Sequence, residues 1–234
     1  MTTNIPPLPT NNQRLEYTAD SSATLYDPLV GEHYHSVCGA RTESQHVFIN
    51  LALAQHPAEC INILEIGWGT GLNGLLAYNY AEEFGKSLKY YTVELHPLSE
   101  KMAQEYVCSL AQTNEQIILG KMHKADWNCW CNIGPNFMLY KSFSDACAIN
   151  PKDIPPANVV FMDAFSPEHA PNLWSEGMLS VLYNCMAPGA ILSTYCAKGV
   201  VRRTLQKIGF NVIRTPGPIG GKREVLVATK GKVF

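Results

Sequence analysis

Apolar and polar positions repeat with a changing period along this chain, and each change marks an element. Residues 14–18 and 24–26 read as two short strands joined by the turn-rich Ala19-Asp20-Ser21-Ser22. Residues 34–40 form a loop that leads into a helix. Val47, Leu51 and Ala54 recur at helical spacing over residues 41–55, and Pro57 closes that helix. Strands and helices then alternate. An apolar run at 61–66 precedes a helix over 71–84. A strand at 89–93 precedes a helix over 99–110, with Ser99 as its N-cap. Residues 116–136 show no clear period, although Trp127, Cys129 and Trp130 suggest an apolar patch on a helix or loop. Strands follow at 137–141 and 159–162. A helix over 174–186 ends at the turn Pro188-Gly189, and a strand at 190–194 leads into a helix over 199–208. Strands at 211–214 and 224–229 close the chain. The link between them is too short for a crossover helix, so they should pair antiparallel.

That order predicts an α/β fold of Rossmann-like type. Seven strands form a mainly parallel sheet with helices on both faces, an antiparallel C-terminal strand and a small N-terminal β extension. The 234 residues suit one such domain over 14–234, with the polar, proline-rich residues 1–13 expected to be disordered. No apolar run reaches membrane-spanning length, and the N-terminus lacks the basic start and apolar core of a signal peptide. The expectation is a cytoplasmic protein without a membrane. Eight scattered cysteines include no Cys-x-x-Cys pair, which disfavours zinc; several sit in apolar surroundings, as reduced thiols do. His33 and His35 could face one way on a strand but lack further ligands, so no metal is expected.

Charge changes the picture at one end. The net charge is −2, yet residues 198–234 hold nine basic residues against the single acid Glu224. That segment is +8 and residues 1–197 are −10. End-loaded charge of this kind suggests a polyanionic partner such as a nucleic acid.

Two loops carry the candidate chemistry. In Glu65-Ile66-Gly67-Trp68-Gly69-Thr70-Gly71-Leu72-Asn73-Gly74 a strand turns tightly into a helix, and its glycines let backbone approach a ligand at a helix N-terminus. Gly69-x-Gly71-x-x-Gly74 also fits a dinucleotide fingerprint. However, Glu65 before the turn would repel a pyrophosphate and suits a cationic ligand, such as the amino group of S-adenosylmethionine. Ligands of open parallel sheets bind beyond the carboxyl ends of the strands. Glu94 stands at such an end, placed for a ribose diol, and Asp145 is placed for an adenine amino group. The second loop starts at Asp163, where Phe165, Pro167 and Pro171 make a rigid wall. A carboxylate there can hold an amine beside a reacting methyl group and can accept a proton.

These motifs together resemble one family: the methyltransferase domain of the bacterial wobble-uridine modification enzymes MnmC and stand-alone MnmD. The resemblance spans residues 15–230. It rests on Tyr34-His35-Ser36 with Gly39-Ala40 and Glu43, on the glycine turn with Asn73, and on Asp163-Ala164-Phe165-Ser166-Pro167 with Pro171 and Trp174. It continues through Thr194-Tyr195, Val201-Arg202-Arg203, Gly209-Phe210 and Gly221-Lys222-Arg223-Glu224. Trp68 departs from the usual Phe and should change bulk at the cofactor mouth.

The resemblance implies a class I methyltransferase fold and methyl transfer from S-adenosyl-L-methionine, leaving S-adenosyl-L-homocysteine. The acceptor would be the amine of 5-aminomethyl-(2-thio)uridine at the wobble position of a tRNA anticodon stem-loop. Glu65, Gly67, Gly69, Gly71, Asn73, Glu94, Asp145 and Asp163 would hold the cofactor, with Asp163 catalytic. Tyr34, Phe165, Pro167, Tyr195, Lys198, Arg202, Arg203, Lys222 and Arg223 would face substrate. The FAD-dependent oxidase domain of two-domain members has no room here, so no FAD is expected and separate enzymes would supply the aminomethyl precursor. The competing readings are a small-molecule amine methyl- or aminopropyltransferase, a nicotinamide oxidoreductase, and a non-catalytic S-adenosylmethionine-binding adapter.

Overall fold

The structure is a computed structural model and describes residues 12–231. The expected disorder of residues 1–13 falls almost wholly outside that range, as does Lys232. A three-stranded antiparallel sheet opens the chain: β1 (Arg14–Tyr17), β2 (Ala23–Asp27) and β3 (Glu32–His33). The α1 helix (Ala40–Ser44) continues as a π-wound stretch over Gln45–Asn50. The looser winding turns each residue through a smaller angle. Three successive residues, Val47, Phe48 and Ile49, therefore face the core together.

The main sheet has eight strands in the order β10-β11-β9-β8-β4-β5-β7-β6. They are β4 (Cys60–Ile66), β5 (Ser87–Glu94), β6 (Trp130–Gly134), β7 (Phe137–Phe143), β8 (Ala157–Met162), β9 (Met186–Thr194), β10 (Phe210–Pro216) and β11 (Glu224–Lys230). The helices are α2 (Leu72–Phe84), α3 (Glu100–Ser109), α4 (Thr113–Lys124), α5 (Glu176–Cys185) and α6 (Gly199–Ile208). Strands β7, β5, β4, β8 and β9 run parallel, and β11 lies antiparallel between β9 and β10.

The eighth strand corrects the expected seven. Residues 116–136, which had no clear period, divide into the end of α4 and the strand β6. That strand pairs antiparallel with β7 at the sheet edge, with a bulge between Asn132 and Gly134. An edge strand with one covered face has too few buried positions to show an alternation. Pro188-Gly189, expected as a turn before a strand, lies inside β9. Gly189 takes φ +79° there, and the register against β8 slips between Ala157 and Val159.

Strand alternation sorts the core into two layers. Ile61, Ile63, Tyr90, Val159 and Phe161 pack on the α2 side, while Leu64, Ile66, Val93, Val160 and Met162 pack on the α5 side. Ser99 caps α3 as expected, its Oγ accepting the Met102 N–H at 3.2 Å. No helix among the described residues is long and apolar enough to cross a membrane.

Candidate active site

The carboxyl ends of β4, β5 and β8 open onto one cavity of about 840 Å³, closed opposite by residues of the N-terminal sheet and α1. Its position follows from topology. The strand ends diverge where neighbouring crossovers run to opposite faces of the sheet, and a ligand lodges in the resulting crevice.

The glycine turn forms the floor. Gly67 and Gly69 have φ of +93° and +48°. A Cβ on Gly67 would stand 2.9 Å from the Asp163 carbonyl oxygen, and one on Gly69 would stand 2.9 Å from the Tyr34 ring. Only glycine lets the turn thread between Asp163 and Tyr34. The other two glycines serve a different purpose. A Cβ at Gly71 or Gly74 would meet the Trp68 indole at 2.6 Å. Gly71 does not line the cavity, so the contact expected of it is corrected: it seats Trp68 and starts α2 from a left-handed conformation. The indole of Trp68 is buried and packs edge to face against Tyr90 and His123.

Glu94 lines the cavity with its carboxylate already oriented. It accepts the Gly69 N–H at 3.0 Å and the His96 N–H at 2.8 Å, which ties the glycine turn to the end of β5. Asp145 lines the same cavity and caps a short 3-10 turn, accepting the Cys147 N–H at 2.8 Å. Tyr34 and Phe165 meet edge to face there at 5.1 Å.

Glu65 departs from expectation. It sits one residue before the end of β4, between Thr92 and Phe161 in register, and so points into the buried layer under α2. It is fully buried and does not line the cavity. Direct contact between Glu65 and a cofactor is therefore corrected. Its carboxyl accepts from Thr92 Oγ1 at 2.8 Å and from Asn73 Nδ2 at 3.0 Å. The same Asn73 nitrogen donates to Asp163 Oδ2 at 2.7 Å. One amide thus bridges two acids, one in the core and one on the cavity wall.

Burial pushes Glu65 up to about 8, against hydrogen bonds that pull it down. Burial, then the charge of Glu65, drives Asp163 well above the usual carboxylate range, while Asn73 pulls it back. Two acids this close in a low dielectric favour sharing one proton over double ionisation.

The loop after Asp163 is braced from several sides. Glu32 accepts from Ser166 N and Oγ at 3.1 and 3.0 Å, and Trp174 Nε1 donates to the Phe165 carbonyl at 2.7 Å. Phe165 and Pro171 face the cavity, whereas Pro167 does not. The Tyr195 hydroxyl donates to the Ala164 carbonyl at 2.7 Å, which fixes its ring on the wall. Lys222 reaches in from the β10–β11 turn. Its Nζ lies 3.7 Å from the Tyr195 ring centroid and 3.2 Å from Glu43 Oε1.

Most of the C-terminal basic residues are engaged within the chain. Lys198 pairs with Glu168, Lys207 with Glu176 at 2.7 Å, Arg214 with Glu224 at 3.4 Å and Lys222 with Glu43. Lys230 Nζ donates to the carbonyls of Tyr183 and Met186. Arg202, Arg203 and Arg223 make no ion pair among the described residues, and neither they nor Lys198 line the cavity. His33 is taken up by Glu16 at 2.9 Å. His35 lies between Thr24 and Thr70, and burial lowers it to about 4, so it is neutral at ordinary pH.

Sequence reasoning gave no chemical role to Glu43, His35 or Thr70, all of which line the cavity. Glu43 sits on a helix with no local mark to separate it from a solvated acid.

Residues 136–231 match a family described as S-adenosyl-L-methionine-dependent methyltransferase. The chain is 31% identical over 227 residues to the tRNA 5-methylaminomethyl-2-thiouridine biosynthesis bifunctional protein MnmC of Stutzerimonas stutzeri, covering 92% of the chain and 34% of that protein. It is 29% identical to the MnmC of Cupriavidus necator, covering 87% of the chain and 32% of that protein. The chain thus spans about a third of the length of these relatives. The crystal structure of MnmC2 from Aquifex aeolicus superimposes with a TM-score of 0.79 at 26% identity, over 96% of this chain and 74% of that one. Fold, cavity and sequence point the same way: residues 136–231 match an S-adenosyl-L-methionine-dependent methyltransferase family model, and nearly the whole chain is similar to about a third of MnmC.

Proposed function

We propose that this chain methylates the primary amine of 5-aminomethyl-(2-thio)uridine at the wobble position of tRNA. The observation that carries the reading is Asp163, an acid raised by burial on the wall of a cavity whose floor is the glycine turn. The similarity to MnmC supports the nucleoside.

Gly67 and Gly69 would cradle the methionine part of S-adenosyl-L-methionine, Glu94 the ribose and Asp145 the adenine. Four features of the site suit that cofactor: glycines without a Cβ, an oriented carboxylate at a strand end, a further acid beside it, and sufficient volume. When bound, the cofactor supplies a methyl group on a sulfonium, open to in-line attack by a neutral amine. A primary amine arrives as an ammonium at neutral pH. Asp163, ionised while Glu65 holds the one proton the two acids share, holds that ammonium, and because its own proton affinity is raised, it takes the amine's proton and leaves the lone pair free. Asn73 keeps the Asp163 carboxylate aimed, and Glu65 keeps Asn73 aimed.

The reading places the protein in the cytoplasm as one unit from residue 14, acting without FAD or metal, with the aminomethyl precursor made by separate enzymes. The test is transfer of labelled methyl from S-adenosyl-L-methionine to tRNA that lacks the final modification, followed by nucleoside analysis. Label in 5-methylaminomethyl-(2-thio)uridine is expected. Label appearing only in free small amines would replace the nucleoside reading with the small-molecule one.

A further inference from the structure

The Glu43 carboxylate is in an unusual position. The residue is only 6% exposed and lines the cavity. Its Oε2 accepts the Ser36 N–H at 3.2 Å, while its buried Oε1 has no hydrogen-bond partner among the described residues. A buried carboxylate oxygen left in this state costs free energy unless something cationic meets it. What lies nearest is the Lys222 ammonium, at 3.2 Å and outside hydrogen-bonding geometry. The same ammonium stands over the face of Tyr195, and Asp163 feels the charges of both Glu43 and Lys222. One carboxylate and one aromatic face hold a single ammonium, and Asp163 lines the same cavity, which together make a binding site for a primary alkylammonium.

Lys222 is poorly anchored as a permanent occupant. Its side chain is 40% exposed and comes from a turn between two strands. Partly exposed ion pairs contribute little, so leaving the site costs little. Resting on the reading that the substrate carries a primary amine, we propose that Glu43, Asp163 and the face of Tyr195 form the ammonium subsite of this enzyme. In the free protein Lys222 occupies that subsite as an intramolecular competitor. Substrate ammonium displaces Lys222, whose charge then swings to the cavity rim, where a phosphate of the substrate RNA can take it up.

The test uses nuclear magnetic resonance of the full chain with isotopically labelled lysine. The Lys222 Cε protons are assigned by their loss in Lys222→Met. Over the Tyr195 ring they resonate upfield of ordinary lysine. Titration with n-propylammonium is expected to return them to the ordinary position, and n-propanol, which has the same shape without charge, is expected to leave them in place. Glu43→Gln keeps the shape and removes the charge, and should weaken propylammonium about ten- to hundredfold, as for a charge-assisted contact. Binding of S-adenosyl-L-homocysteine, followed by calorimetry, should stay unchanged in that variant. Equal effects of propanol and propylammonium, or unchanged propylammonium affinity in Glu43→Gln, overturn the proposal. Propylammonium binding in a chain that does not methylate tRNA would overturn the nucleoside reading and leave the subsite standing.

Discussion

The acids around the cavity and the bases of the C-terminal segment reach their places in different ways. Glu94 and Asp163 stand at or just beyond the ends of β5 and β8, the parallel strands on either side of β4, where the ladder fixes the direction of each side chain. Lys198, Lys207, Arg214 and Lys222 come from a helix, a loop and a hairpin, and each pairs with an acid from whatever element lies beside it. The acids converge because the sheet register places them together. The cations disperse because a long flexible side chain on a solvated face takes the nearest carboxylate. A charge count along the C-terminal segment therefore overstates its free positive surface, which reduces to Arg202, Arg203 and Arg223 among that segment's described residues.

Breaking the acid side should have the largest effect. Asp163→Asn keeps the shape and removes charge and proton acceptance, so single-turnover methyl transfer should fall by about 10²–10⁴-fold. Cofactor affinity should change little, since the partner of Asp163 is the amine. Full rate in the variant at neutral pH would show that this carboxylate is dispensable.

Glu65 separates a buried acid from one on the wall. The folded state keeps its proton up to about pH 8, whereas an unfolded glutamate loses it near 4.5. Between those values the folded state binds more protons, so its stability falls as pH rises. Glu65→Gln cannot titrate. It should be close to wild type in stability at pH 5 and more stable by about a few kcal/mol at pH 8. Urea midpoints at the two pH values measure this, and the same difference at both would show that Glu65 does not titrate in that window.

Glu94→Ala leaves the Gly69 N–H without its carboxylate and removes the expected ribose partner. S-adenosyl-L-methionine binding should weaken by about 1–3 kcal/mol. Calorimetry giving an unchanged affinity would remove Glu94 from the cofactor site.

The basic side should give smaller, salt-dependent effects. Neutralising Arg202 and Arg203 together should flatten the log–log dependence of tRNA affinity on salt by about one to two units, with cofactor binding unchanged. Lys207→Gln is the contrast, because Lys207 is already paired with Glu176. Its salt slope should match wild type, and its stability should fall by less than about 1 kcal/mol. Equal slopes for the two variants would erase the distinction between paired and unpaired cations.

The alternation of period along the chain was enough to place the parallel strands, the antiparallel pair at the end and the helices between them except α4. Each of those is set by local propensity and by one buried face. Strand ends were equally legible, and with them Glu94, Asp145 and Asp163 as neighbours at one crevice. Three matters were settled only in three dimensions. Glu65 turns away from the cavity because the two-residue pleat directs it under α2, and a shift of one residue along the strand would have reversed that. Gly71 and Gly74 make room for an indole rather than a ligand, which depends on where Trp68 folds back. Glu43 meets Lys222, which stands over Tyr195, only because a helix from the N-terminal third and a hairpin from the C-terminus close over the same strand ends. Sequence fixes what each residue can do within its own element; which residues from distant elements share a dielectric and a charge is decided by packing.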